Sequence, residues 1–216
     1  MRTISHVVEE IIQRSPFLAE AIAEGVANNA QIARRIRPDV EKRLLEKVSE
    51  SSIAMALHRM GKRFHRVPYS EKFIKQMSDI TVRSGLTEFV CANSSALPHV
   101  LDVLSKSASK RKDTFLNFSR GLYESLIIVN KEFEREVEHI LKGEKRTRKL
   151  GGLSAITMRL PEASLTVPGM YYPILKVVAA EGISFVEVMS VRTELSIIFA
   201  DKDIDRAFSV LKRITS

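Results

Sequence analysis

The chain has 216 residues, 44% of them apolar, and its 34 Lys and Arg exceed its 26 Asp and Glu to leave a formal charge of +8. That is enough chain for two or three compact units, with no apolar run near membrane-spanning length and a basic balance that suits a polyanionic partner without requiring one. Glu9 and Glu10 sit in an amphipathic start rather than a basic-then-apolar leader, and the single Cys91 has no disulfide partner and no Cys or His cluster beside it, so the expectation is a cytoplasmic protein with one buried thiol.

The first third shows helical spacing throughout. Ile4, Val7, Val8, Ile11 and Ile12 form one stripe, ended before Ser15-Pro16, where Ser can cap and Pro can open a second helix from Phe17 to Glu24. Gly25 stops that helix. Asn28 with Gln31 three residues on starts a third, which Arg37-Pro38 terminates or bends, and Pro38 opens a further segment through Lys47 with Val40, Leu44 and Leu45 inward. Ser49 then caps a helix from Glu50 to Phe64 whose buried stripe is Ile53, Leu57, Met60 and Phe64. Its outer face carries Ser51, Ser52, Met55, His58, Arg59, Lys62 and Arg63.

A helical unit whose last helix opens with small hydroxyl residues and continues with Arg and His resembles a helix-turn-helix or winged-helix DNA-binding domain. The resemblance implies that this helix reads the major groove, while Arg34, Arg35 and Arg37 on the preceding helix meet backbone phosphates. The competing reading is a helical protein-docking module with a basic, solvated face. His65 to Tyr69 is too short for a full wing. Ser70 to Met77 reads as a linker or an outermost strand, and the basic runs Lys106 to Lys112 and Lys142 to Lys149 read as solvated loops.

In the last third, Leu153 to Leu160 reads as a strand, and Met170 to Glu181 has helical spacing at Tyr171, Ile174, Leu175 and Val178, stopped by Gly182. Ile183 to Val191 and Glu194 to Phe199 are β-branched and aromatic, and Asp201 to Ile214 is helical again. The order β-α-β-β-α is ferredoxin-like. With Pro168-Gly169-Met170-Tyr171-Tyr172 before the helix, Glu181-Gly182-Ile183 after it, Val186 to Ser190 in the second strand and Thr193-Glu194 opening the third, this region resembles an ACT domain, most of all the regulatory end of aspartokinases. Earlier segments echo it: Ile80-Thr81-Val82-Arg83 matches Ile156-Thr157-Met158-Arg159, Pro98 sits near a helix start as Pro173 does, Tyr123 to Val129 matches Thr193 to Phe199, and Phe133-Glu134-Arg135 answers Ile204-Asp205-Arg206. The expected architecture is therefore α+β: a helix-turn-helix-like helical domain over residues 1–69, then two ferredoxin-like βαββαβ (ACT-like) modules over residues 70–150 and 151–216.

No catalytic constellation is visible. His6, His58, His65, His99 and His139 are scattered, no HExxH or GKS/T loop occurs, and the phosphate loop of an aspartokinase catalytic domain is missing, so neither an enzyme nor a cofactor is expected. The Pro168-Gly169 turn combines a fixed angle with close backbone approach and leads into a helix whose first amides suit a carboxylate. The ACT resemblance gives Val167, Pro168, Gly169, Met170 and Tyr171 the role of binding an amino-acid effector. In the first repeat Asn93 and Ser94 hold the equivalent place without Pro-Gly, either as hydrogen-bonding ligands or in a degenerate loop, and the Pro-Gly turn itself can equally be structural. The expected function is an amino-acid-responsive transcriptional regulator that binds DNA as a homodimer. The alternatives are a non-catalytic regulatory subunit gripping a partner enzyme, or a dimerisation module without effector.

Overall fold

The structure is a computed structural model that describes residues 2–64, 74–111, 114–167 and 169–215, with side chains in the first stretch described through Gly61. The chain divides into two units, Met1–Ser70 and Glu71–Ser216. No helix among the described residues is long and apolar enough to cross a membrane.

The first unit contains α1 (Ile4–Gln13), α2 (Pro16–Ala23), α3 (Asn29–Leu44) and α4 (Glu50–Phe64). Side chains satisfy the orphan amides at three of the starts: Thr3 accepts from the His6 N–H, Asn28 from Ala30 and Gln31, and Ser49 from Ser52. α2 opens on Pro16, with no side-chain cap from Ser15. Val8 and Ile12 of α1, Ile22 of α2, Ile36 and Val40 of α3, and Ile53 and Leu57 of α4 close on one core. Pro38 neither ends nor restarts a helix, because α3 runs through it. Pro38 lies on the exposed side while Ala33, Ile36 and Val40 bury the opposite stripe, and this burial outweighs the one lost backbone bond. The helix ends instead at Leu45, whose left-handed φ of 58° turns the chain toward α4.

The second unit runs β1 (Ser78–Ala92), α5 (Leu97–Ala108), β2 (Leu116–Arg120), β3 (Glu124–Asn130), α6 (Lys131–Ile140), β4 (Arg146–Arg159), α7 (Tyr172–Ala180), β5 (Glu187–Val191), β6 (Glu194–Ala200) and α8 (Ile204–Thr215). Short 3-10 turns occupy Glu162–Leu165 and Asp201–Asp203. The β-α-β-β-α order thus occurs twice, but the strands form one antiparallel sheet in the order β2-β3-β1-β4-β6-β5.

This corrects the expectation of two self-contained βαββαβ modules, because neither half supplies a fourth strand of its own. β1 and β4 are long, 15 and 14 residues, and pair with each other. Residues 86–92 of β1 lie between β3 and the start of β4, whereas residues 153–159 of β4 lie between β6 and the start of β1. Each long strand is the first of its own half and the fourth of the other. The physical reason is that β1 or β4 alone would leave a row of unpaired N–H and C=O groups, and antiparallel pairing satisfies both rows at once. β4 accordingly passes without a break through Gly151-Gly152. Where the strands exchange partners, Gly85 and Gly152 take left-handed φ values of 71° and 68°, beside a register shift between Arg83 and Leu86.

Alternation along the strands gives the sheet two buried faces. On one, Phe89, Ile127 and Val129 meet Leu104, Phe133 and Val137 of α5 and α6, while Ile156, Leu195 and Phe199 meet Ile174, Val178 and Leu211 of α7 and α8. Ile74 and Met77, from the segment read as linker or strand, join that second cluster. On the other face, Leu86, Ile128, Leu153, Ala155 and Ile198 gather with Leu126 of β3 and Phe115 beside edge strand β2 from one side, and with Val186 and Met189 at edge strand β5 from the other. Residues from both edges meet in one cluster because the sheet curls around it.

Candidate functional site

The loop before α7 follows the Glu162–Leu165 turn, with Val167 half-buried, Gly169 exposed at φ 74° and Met170 buried. Pro168 lies outside the described residues. Tyr171 is exposed, and its hydroxyl sits 2.7 Å from Ser190 Oγ on β5, which ties the loop to the sheet edge. Of the first amides, that of Tyr172 already donates to Gly169 O at 2.9 Å, and Pro173 has none. The cradle for a carboxylate is therefore narrower than the sequence implies.

Asn93 and Ser94 are engaged inside the fold. The Asn93 amide donates to the carbonyls of Gly121 and Leu122 and accepts from Ser125 Oγ, pinning the β2–β3 turn. Ser94 donates to Glu144 at 2.6 Å and accepts from the Leu97 N–H, the first amide of α5. Because β1 and β4 are antiparallel, with Cys91 opposite Arg146 and Ser78 opposite Arg159, the loop after β1 and the loop after β4 leave the sheet at opposite ends. At about 3.3 Å per residue that separation is on the order of 40 Å, so Asn93 and Ser94 do not share a site with Val167, Gly169, Met170 and Tyr171.

In the helical unit, Ser51, Met55, His58 and Arg59 are exposed on α4, and Ser52 is half-buried behind them. The side chains of Lys62 and Arg63 lie outside the described residues. Arg59 Nε donates to Met55 O at 3.4 Å, along its own helix. Arg35 is exposed. Arg34 and Arg37 carry surface ion pairs: Arg34 Nε lies 3.4 Å from Glu50, and Arg37 reaches Glu41 at 2.9 Å and Glu50 at 3.6 Å. Glu41 also accepts from the Val48 N–H, so the Arg37–Glu41 pair braces the α3–α4 turn; these bonds hold the Glu41 carboxyl below its ordinary range. Sequence reasoning passed over Glu41 and Glu50; the four-residue spacing of Glu41 from Arg37 was an available signal, whereas Glu50 lies on the next helix.

It also passed over Glu88. This carboxylate is fully buried on β1, opposite Ile128 on β3 and Leu150 on β4, and neither oxygen has a hydrogen-bond partner. Burial pushes the carboxyl up, Arg148 opposes that, and Glu187 adds to it. A lone acid in a stretch from Leu86 to Ala92 that is otherwise apolar apart from Thr87 was the signal. Among the described residues no group of three His, Cys, Asp or Glu side chains is placed to hold a metal ion.

The strand order and shared long strands can be set beside solved structures. The ligand-free regulatory subunit of aspartate kinase from Thermus thermophilus superposes with a TM-score of 0.51 over 65% of this chain and 99% of that one, at 10% identity. The regulatory subunit from Thermus flavus gives 0.52 over 65% and 99%, at 11% identity. The chain shares the fold of aspartate kinase regulatory subunits. Clostridium acetobutylicum aspartate kinase matches at 0.53 over 65% of this chain and 35% of its own length, at 8% identity, so the shared fold spans about a third of that enzyme. No protein-family model matches the chain, and no curated protein matches it in sequence. At such identities the likeness concerns fold, and about a third of this chain lies outside the superposition.

Proposed function

We propose that the chain is a non-catalytic, amino-acid-responsive regulator that acts in the cytoplasm as a homodimer, with its sheet as sensor and its helical unit as a helix-turn-helix-like DNA reader. The observation that carries this reading is the pairing of an aspartate kinase regulatory fold with a capped helix, α4, whose exposed face bears Ser51, Met55, His58 and Arg59. Small hydroxyls at a helix start followed by a long cationic arm suit base edges and phosphates in a major groove. The effector loop is Val167 to Tyr171, where the left-handed Gly169 lets a ligand approach the backbone closely and the Tyr171–Ser190 bond joins that loop to β5.

The test is a DNA titration of the purified chain across a range of salt. Phosphate contacts release counterions, so the reading predicts a steep fall of affinity with salt; a flat dependence contradicts it. A second reading is favoured by the engagement of Arg34 and Arg37 with Glu41 and Glu50 and by the exposure of Met55 and Phe17. Ion-paired arginines and exposed apolar side chains on one helical unit suit a protein partner, which would make the chain a regulatory subunit docking through its helices.

A further inference from the structure

The helical unit carries an open cleft of about 520 Å³ lined by Arg2, Glu10, Gln13, Arg14 and Arg43. Three guanidiniums thus share one cleft with a single carboxylate. That carboxylate is already engaged twice, by Arg43 Nη1 at 3.3 Å and by His6 Nε2 at 3.1 Å. Arg2 and Arg14 are exposed and form no ion pair among the described residues, whereas Arg34, Arg37 and Arg43 are each paired with a glutamate. Helix dipoles account for two of the three: Arg14 stands at the C-cap of α1 and Arg43 in the last turn of α3, where a cation is favoured. They do not account for Arg2, which precedes the N-terminus of α1, the end at which the dipole disfavours a cation. Gathering three like charges costs free energy unless an anion comes between them.

We propose that this cleft binds a phosphate group, carried by a small phosphorylated molecule or by a nucleic-acid backbone, with Arg2, Arg14 and Arg43 as its cationic partners. One guanidinium fork already satisfies a carboxylate, whereas a phosphate presents several oxygens to several forks at once. Arg43 gives only Nη1 to Glu10, so the rest of its fork is open to a ligand. Gln13 donates to Glu9 at 3.3 Å through its amide nitrogen, which carries a second hydrogen for a phosphate oxygen. The volume lies within the range of small-molecule clefts, and its openness to water leaves the attraction subject to screening by salt. The cleft uses neither Arg34 and Arg37 nor the exposed face of α4, and nothing of the effector loop, so it stands independently of the regulatory reading.

The experiment is calorimetry of the full chain at low salt with pyrophosphate, and with acetate as control. Pyrophosphate is expected to bind at millimolar concentration or below and more weakly as salt is raised, and acetate not to bind. Arg2→Ala and Arg14→Ala, at exposed positions that leave the fold intact, are each expected to weaken pyrophosphate roughly fivefold. Arg59→Ala on α4 and Lys110→Ala in the second unit, both exposed, are expected to leave it unchanged, which separates the cleft from the DNA-reading face and from the general positive charge of the chain. A short DNA duplex distinguishes the two sources of phosphate. Pyrophosphate that displaces the duplex marks the nucleic-acid backbone as the ligand; pyrophosphate that binds alongside it, or to a chain that binds no duplex, marks a small phosphorylated molecule. No binding of pyrophosphate, unchanged affinity in both Arg2→Ala and Arg14→Ala, or an equal loss in Lys110→Ala would overturn the proposal.

Discussion

Thr87 and Ser154 hold equivalent posts on the two long strands. Each stands two residues after a left-handed glycine, Gly85 or Gly152, and each donates its hydroxyl to an acid just beyond the third strand of its own half: Thr87 to Glu134 at 2.7 Å, Ser154 to Asp201 at 2.5 Å. Both hydroxyl residues are buried. The pairs fix the turn after β3 and after β6 against the place where β1 and β4 exchange partners.

Thr87→Val and Ser154→Ala are each expected to destabilise the chain by about 1–2 kcal/mol, since Ser154→Ala removes the hydroxyl donor of Asp201 and Thr87→Val removes one of the two donors of Glu134, leaving Lys149. Gly152→Ala meets no close atom, its nearest neighbour being Asp201 at 3.8 Å, so its cost comes from the left-handed φ alone, roughly 1–2 kcal/mol. Urea unfolding of the three variants checks this. Wild-type midpoints in all of them would mean that the strand exchange is held by burial alone.

The repeat was legible in part. Glu124 to Val129 and Glu194 to Phe199 are β3 and β6, and Pro98 and Pro173 both lie in the first turn of a helix. The match of Ile80 to Arg83 with Ile156 to Arg159 has another origin: these segments pair across the sheet, Thr81 opposite Thr157 and Val82 opposite Ile156. The structural equivalence is Gly85-Leu86 with Gly152-Leu153. A periodic strand pattern reports which face is buried, not which strand lies alongside, so the shared fourth strand was invisible to it. The contacts of Asn93, Ser94 and Arg34 were hidden for a similar reason, since their partners at Gly121, Glu144 and Glu50 are distant in sequence.

Acid and neutral pH should separate Glu88→Gln from the unaltered chain. Burial raises the Glu88 carboxyl in the folded state, so the folded chain holds that proton more tightly than the unfolded chain. Its stabilising contribution is complete below the unfolded pKa and is lost as pH rises through the folded pKa. Glu88→Gln is expected to flatten the melting temperature across that window and to exceed the unaltered chain above it. Glu134 has the opposite sign: its bonds from Lys149 and then Thr87 lower it, so its contribution fades on acidification. Parallel profiles of melting temperature against pH for Glu88→Gln and the unaltered chain would contradict the buried, unpartnered state of Glu88.

On the α4 face, Arg59→Ala is expected to lose about 1–3 kcal/mol on a cognate DNA site with an unchanged circular dichroism spectrum, because the side chain is exposed. Glu50→Gln is expected to tighten nonspecific binding by releasing Arg34 to phosphate, while Arg37 stays paired with Glu41. Gel-shift affinities untouched by both changes would favour the docking reading.

β2 and β5 are the two edges of the sheet, and β5 exposes Val188 and Val191 beside Phe185. An apolar edge with unpaired backbone groups favours pairing with a second copy. Light scattering at micromolar concentration is expected to give a dimer, and Val188→Lys a monomer. A monomeric unaltered chain would count against assembly through this edge.

Regulation of DNA by an amino acid requires that the two ligands change each other's affinity by one common factor, since linkage is reciprocal. The decisive measurement is calorimetric titration of the chain with amino acids, those derived from aspartate first, followed by DNA titration with and without any that binds. A sensor-regulator predicts that a bound amino acid shifts DNA affinity, that DNA shifts amino-acid affinity by the same factor, and that Gly169→Val abolishes both shifts while leaving DNA binding itself intact. Amino-acid binding with DNA affinity unchanged, or no amino-acid binding at all, would contradict it and leave the sheet a structural role.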